Sequence, residues 1–217
     1  MNPIRVLVAD DHTLVKSMLA ERLQREPDIK VVATAGRADE AFDLVLAHSP
    51  DVVVMDIDMP GLICFDAARR MLASRPNTRI LFLSAFTHDH YIEQALAVGA
   101  LGYITKTEPA DTIISAVRNV ANNLSYFSDA IRERIVQGSS GLSLASRPQT
   151  RASQLTPREI EVVRYIARGL SKKEIAQLMN LSIKTVDKHT CNLMDKLDIH
   201  DRVELARFAI REGLSEP

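Results

Sequence analysis

Val52-Val-Val-Met-Asp-Ile-Asp-Met-Pro-Gly61 is a run of buried-type β formers that delivers Asp56 to a strand end and then stops. Asp58 and Pro60-Gly61 force a loop there, because proline cannot donate to a sheet ladder and glycine tolerates sharp turns. A carboxylate at the carboxyl end of a parallel strand, facing a crevice, is where open α/β sheets place their chemistry. On its own the stretch also reads as a buried strand ending in a solvated acidic turn. The segments around it decide between the two.

Upstream, Ile4–Ala9 is a short apolar run ending in Asp10-Asp11, and Ile29–Ala35 is a second one closed by Gly36. Downstream, Ile80–Ser84 and Gly102–Thr105 repeat the pattern. Between them lie amphipathic stretches at helical spacing: Thr13–Glu26, a second built on Ala38, Ala41, Phe42 and Val45, then Phe65–Arg75, Asp89–Val98 and Pro109–Asn122. Five strand-then-helix units with Val, Ile and Leu runs predict a doubly wound α/β fold, a five-stranded parallel sheet covered on both faces.

In such a sheet all carboxyl ends share one edge. There the first strand ends in Asp10-Asp11, the third in Asp56, the fourth in Ser84 and the fifth in Lys106. Gathering three carboxylates is unfavourable unless a cation neutralises them. Hard oxygen ligands with open water positions suit Mg²⁺, which favours a phosphoryl ligand. Lys106 would bind a phosphoryl oxygen as a point charge, and Ser84 could donate a hydrogen bond to another.

The chain has 217 residues, ample for two domains, with 46% hydrophobic and 25% charged residues as in ordinary globular proteins. No apolar run approaches the roughly 20 residues that cross a bilayer, and Met1-Asn-Pro-Ile-Arg-Val lacks a signal-peptide layout. No membrane association and a cytoplasmic location are expected. Cys64 and Cys191 lie too far apart for a metal spacing. Residues 1–138 carry 14 basic and 18 acidic side chains, and residues 151–217 carry 12 and 10. That asymmetry marks two parts with different jobs.

Ser125–Gln137 continues in a helical pattern, with Ile131 and Ile135 four apart. Gly138–Ser146 and Arg147-Pro-Gln-Thr150 are rich in Gly, Ser and Pro and read as a flexible linker. The division expected is 1–124, a helical extension and linker over 125–153, and a smaller all-α domain over 154–217. In the last, Thr156-Pro-Arg-Glu159 and Ser171-Lys-Lys-Glu174 are capping boxes, and Ser182 caps a third helix over Ile183–Leu197. A fourth spans Arg202–Glu212. A short helix, a tight turn and a longer helix make a helix-turn-helix. On the third helix, Val186, Thr190, Leu193, Met194 and Leu197 share the core side, and Lys184, Lys188, Cys191 and Asp195 the opposite one. The latter could be a solvated face or could enter a DNA major groove, with Thr185 near the helix N-terminus, its backbone N–H expected free, placed for a phosphate.

Asp10-Asp11-His12, Asp56 with Met59-Pro60-Gly61, Ser84-Ala85, and Tyr103 with Lys106 resemble the receiver domain of two-component response regulators, over about residues 3–124. The resemblance implies that Asp56 accepts a phosphoryl group from a sensor histidine kinase. It implies that Asp10, Asp11, Asp56 and the Asp58 backbone carbonyl surround Mg²⁺, and that Ser84 and Tyr103 form a switch pair. Leu155-Thr-Pro-Arg-Glu159, Gly169–Ala176, Ser182–Val186 and His189 through Leu197 resemble the LuxR-type DNA-binding domain, so the whole chain resembles the NarL/FixJ class of regulators. That adds Lys172 and His189 to the DNA-contact candidates, a homodimer on phosphorylation supported by the fourth helix, and RNA polymerase as a further partner. Four departures stand out: Leu62-Ile-Cys-Phe65 beside the site, Thr107 rather than proline after Lys106, Asp187 where the family commonly has a basic residue, and Asp198 where it often has glycine.

A transcription regulator, not an enzyme, is expected. The rival readings are an aspartate-based phosphatase using Asp56 and Asp58, and a DNA binder indifferent to phosphorylation.

Overall fold

A computed structural model describes residues 2–59, 64–85, 87–138, 141–144, 151–179, 181–212 and 214–215. Pro60-Gly61, Leu62-Ile63, Asn180 and residues 139–140 and 145–150 of the expected linker lie outside the described residues. The chain forms two compact units, Met1–Ala145 and Ser146–Pro217.

In the first unit strands and helices alternate as β1 (Ile4–Ala9), α1 (Thr13–Gln24), β2 (Ile29–Ala35), α2 (Ala38–His48), β3 (Val52–Asp56), α3 (Cys64–Ser74), β4 (Arg79–Ser84), α4 (Asp89–Ala97), β5 (Gly102–Thr105) and α5 (Ala110–Ala121). The parallel strands lie in the order β2-β1-β3-β4-β5-β6, where β6 is Tyr126–Phe127. Because β1 sits between β2 and β3, successive crossovers leave on opposite faces there, opening a crevice at the carboxyl ends of β1 and β3.

β3 runs through the middle with all five residues buried. Its Val52 and Val54 join Val6, Val8, Leu81, Leu83 and Ile104 in a core completed by Leu19 and Leu23 of α1 and Ile114, Val117 and Val120 of α5. Alternate residues point the other way, and on that face the Phe82 ring of β4 meets Phe65 of α3 at 5.1 Å.

Two expectations need correction. The sheet has six strands, not five, and the helix expected over Ser125–Gln137 shrinks to four residues, α6 (Asp129–Arg132). Asn123 takes a left-handed φ of 61° and ends α5. The chain then meets the open edge of β5, where Tyr126 pairs with Gly102 and Phe127 with Tyr103. Edge pairing satisfies backbone groups over the whole strand and overrides the weak local preference for helix. Gly102 permits the close approach: a Cβ there would lie 2.9 Å from the Tyr126 carbonyl oxygen.

A third correction concerns the linker. Its first part is the antiparallel hairpin of β7 (Ile135–Gly138) and β8 (Gly141–Leu144), with Gly138 opposite Gly141 and Ile135 opposite Leu144. The two glycines that make the segment look flexible pair with each other across the ladder, and β8 packs against α4.

The second unit is helical: a 3₁₀ turn (Arg151–Gln154), then α7 (Pro157–Ala167), α8 (Lys172–Leu178), α9 (Ile183–Leu197) and α10 (Arg202–Arg211). Both capping boxes form with both reciprocal bonds, at Thr156/Glu159 and Ser171/Glu174. Ile160, Val163 and Ile166 of α7 are buried with Ile175, Val186, Leu193, Leu197, Leu205 and Phe208. Glu159, only 2% exposed, accepts from Thr156 N–H and from Lys196 Nζ, both at 2.7 Å. It thereby fastens the start of α7 to the end of α9.

Asp198, the departure from glycine, holds the left-handed C-cap of α9 at φ 51°. Aspartate tolerates this region better than most residues, but glycine has no Cβ penalty there. Asp198→Gly should therefore raise the stability of the second unit by about 0.5–1 kcal/mol, less than the full left-handed strain because glycine loosens the unfolded chain. A urea midpoint at or below wild type would contradict this.

Candidate functional site

The carboxyl edge of the sheet brings together the residues expected there. Asp10 follows β1, Asp56 ends β3, and both are almost wholly buried, at 1% and 2% exposure. Lys106, just past β5, spans the two: its Nζ lies 2.7 Å from Asp10 Oδ2 and 2.9 Å from Asp56 Oδ2. The Lys106 N–H donates to the Ser84 carbonyl (2.8 Å), tying the ends of β4 and β5. Asp58 N–H donates to Asp56 Oδ1 at 3.3 Å and helps orient the carboxylate.

Burial pushes the Asp56 carboxyl up to about 6, Lys106 pulls it back, and Asp10 adds to the rise. Burial also works against the charge on Lys106, but the facing Asp56 and Asp10 prevail and hold its ammonium above its ordinary value. Asp56 is thus ionised at neutral pH at a cost to folding. Its folded state holds the proton more tightly than the unfolded chain, so stability falls as pH rises from about 4 to about 6.

Ligand atoms of Asp10, Asp11, His12 and Asp56 all lie within 4.8 Å of one another. Three carboxylates against one ammonium leave an excess of negative charge. The hard oxygen donors fit a divalent cation such as Mg²⁺. His12 carries no signal in the sequence beyond adjoining the Asp10-Asp11 pair. Its backbone N–H donates to Asp10 Oδ1 (2.8 Å), and its Nδ1 lies 2.9 Å from Asp11 Oδ1. It braces both carboxylates from the solvent side.

Ser84 and Tyr103 are both fully buried, and their side chains are hydrogen-bonded to each other. Burial drives the Tyr103 phenol well above its ordinary value, so it stays neutral. The aromatic ring occupies the inward position.

On α9 the split between faces follows the sequence. Val186, Thr190, Leu193 and Leu197 are buried, while Lys184, Lys188, Cys191 and Asp195 are exposed and His189 is half-buried. Thr185 corrects an expectation. Its backbone N–H is not free for a phosphate, because it donates to the Ser182 hydroxyl at 3.1 Å, and its hydroxyl is 2.8 Å from the same Ser182 oxygen. The N-cap that starts the helix uses the donor. Asp187 also finds a structural place: it forms an ion pair with Lys172 of α8, so the acid is neutralised within the motif. Among the described residues, no helix is long and apolar enough to cross a membrane.

Comparisons with known proteins agree with this geometry. Residues 6–118 match the response regulator receiver domain family, and residues 153–209 match the luxR family of bacterial regulatory proteins. The chain is 34% identical to the oxygen regulatory protein NreC of Staphylococcus epidermidis over 98% of its own length and 100% of the relative's. A LuxR-family two-component response regulator from Aurantimonas sp. superposes with a TM-score of 0.58 at 29% identity, over 61% of this chain and 94% of that one. RcsB of Salmonella enterica, bound to promoter DNA, shares the fold at 21% identity and a TM-score of 0.66, over 94% of this chain and 98% of that one. A receiver pocket ahead of a helix-turn-helix defines a DNA-binding response regulator of a two-component system. The chain belongs to the response-regulator family, in its NarL/FixJ class.

Proposed function

We propose that Asp56 accepts a phosphoryl group from the phosphohistidine of a sensor histidine kinase, and that this change controls binding of the second unit to double-stranded DNA. The observation that carries the reading is the buried Asp56 carboxylate at the sheet edge, held with Asp10 on a single lysine. An Asp56 oxygen attacks phosphorus, the P–N bond to the kinase imidazole breaks, and the imidazole leaves. Mg²⁺, held by Asp10, Asp11, Asp56 and the Asp58 carbonyl, would neutralise charge on the transferring group. Lys106 pairs with one phosphoryl oxygen and the Ser84 hydroxyl donates to another. Tyr103, already inward, fills the space that Ser84 leaves.

The division of labour follows residues 1–124 as receiver, 125–153 as connector and 154–217 as DNA-binding domain. Lys184, Lys188 and His189 face the major groove from α9. The Thr185 side chain and Lys172 lie at its phosphate margin, Lys172 oriented by Asp187. Val203 and Ile210 of α10, at 59% and 37% exposure, offer an apolar strip for a homodimer on DNA. RNA polymerase is a further partner of the DNA-bound dimer, and the protein works in the cytoplasm as a regulator without turnover of its own.

DNA-site selection with and without beryllofluoride, on wild type and Asp56→Asn, tests this. Beryllofluoride should raise wild-type affinity and dimer content and leave Asp56→Asn unmoved. Equal affinity in all four arms would leave a phosphorylation-independent DNA binder.

A further inference from the structure

The segment after α5 is tied to the phosphoryl pocket by contacts that phosphoryl chemistry does not require. Ser128 N–H donates to the Tyr103 carbonyl at 3.1 Å, and the buried Ser128 hydroxyl accepts from Thr105 N–H at 3.1 Å, one residue before Lys106. Ile131 of α6 is wholly buried. Arg134 then reaches the connection between β4 and α4. One guanidinium nitrogen donates to the Thr87 carbonyl, and another forms an ion pair with Asp89, the first residue of α4. The Arg134 side chain is 16% exposed and that of Asp89 35%, so the pair is better sheltered than an ordinary surface bridge. β8 closes the arrangement by packing on α4. Ser84 stands only three residues before Thr87 on the same connection.

We propose that Tyr126–Gly138 is a latch: Arg134 grips Thr87 and Asp89 in the resting state, and the grip loosens when Ser84 is drawn to a phosphoryl group on Asp56. The inference rests on Asp56 being the phosphoacceptor. The backbone at Ser84 is pinned through its carbonyl by Lys106 N–H, so a change at the Ser84 side chain is taken up by the residues after it. Among them are Thr87 and Asp89, which Arg134 holds. Loosening them frees the hairpin whose last described residue, Leu144, comes just before the second unit begins at Ser146. Linkage requires the reverse effect as well: weakening the grip must favour the phosphorylated form.

The test uses the full chain with beryllofluoride and Mg²⁺, in wild type, Asp56→Asn, Arg134→Ala, Asp89→Ala and the double variant Arg134→Ala/Asp89→Ala. Hydrogen exchange over 126–144 and beryllofluoride affinity are measured in each. The latch predicts that beryllofluoride speeds exchange over 134–144 in wild type but not in Asp56→Asn. Arg134→Ala and Asp89→Ala should exchange fast without it and bind it at least about fivefold more tightly, the low end of ordinary allosteric coupling. The double variant should gain little over either single one.

Bound beryllofluoride with unchanged protection of 134–144, or wild-type affinity in Arg134→Ala, overturns the latch. If Arg134→Ala does not fold, wild-type exchange decides alone. No response anywhere in wild type, including around Asp10 and Lys106, overturns the phosphoacceptor reading and the latch with it.

Discussion

Asp56→Asn is expected to make the metal-free protein more stable, by about 3 kcal/mol above pH 7, while removing its response to phosphoryl donors. The buried carboxyl is raised from 3.8 to about 6. Every tenfold gain in proton affinity is worth about 1.4 kcal/mol, so ionised Asp56 costs folding about 3 kcal/mol once pH exceeds 6. Asparagine carries no charge to desolvate, keeps an oxygen for Asp58 N–H, and leaves Lys106 paired with Asp10 at 2.7 Å. The gain must fade as pH falls from about 6 to about 4, because wild-type Asp56 is then protonated in the folded state. Urea unfolding at a series of pH values, without divalent metal, reads the effect. A gain that persists undiminished at pH 4, or a loss of stability at pH 8, would refute the account.

Removing the cation acts in the opposite direction. Lys106→Met keeps most of the aliphatic stem but leaves Asp10 and Asp56 facing each other without the ammonium that joins them. Stripping one partner from a buried ion pair costs about 3–5 kcal/mol. Because Lys106 retains some contact with solvent at 19% exposure, about 2–4 kcal/mol is expected at pH 8. The deficit should shrink in acid as Asp56 takes up its proton below about pH 6. Millimolar Mg²⁺ should restore part of it, since a ligand that binds only the folded site stabilises by mass action. Phosphoryl-dependent DNA binding should be lost even where the fold is recovered. An unchanged urea midpoint, with no added benefit from Mg²⁺ over wild type, would show that Lys106 does not hold the pocket together.

The sequence by itself determined the alternation of strands and helices through Ala121 and the stations of Asp10, Asp56, Ser84 and Lys106 at strand ends. It also determined the helix starts at Thr156, Ser171 and Ser182, because buried runs, caps and turn residues act within a few positions of themselves. Only the tertiary structure decided that one ammonium grips two carboxylates whose strands lie apart in the chain. The same holds for Asp187 neutralising Lys172, and for Arg134 reaching back to Thr87 and Asp89. The sixth strand and the hairpin belong with these, since Tyr126–Phe127 and Gly141–Leu144 take their form from the edge of β5 and the surface of α4. Local propensity differs by less than about 1 kcal/mol per residue between helix and strand. Which sheet edge or helix surface lies within reach therefore settles such segments, and that is fixed only once the chain has folded.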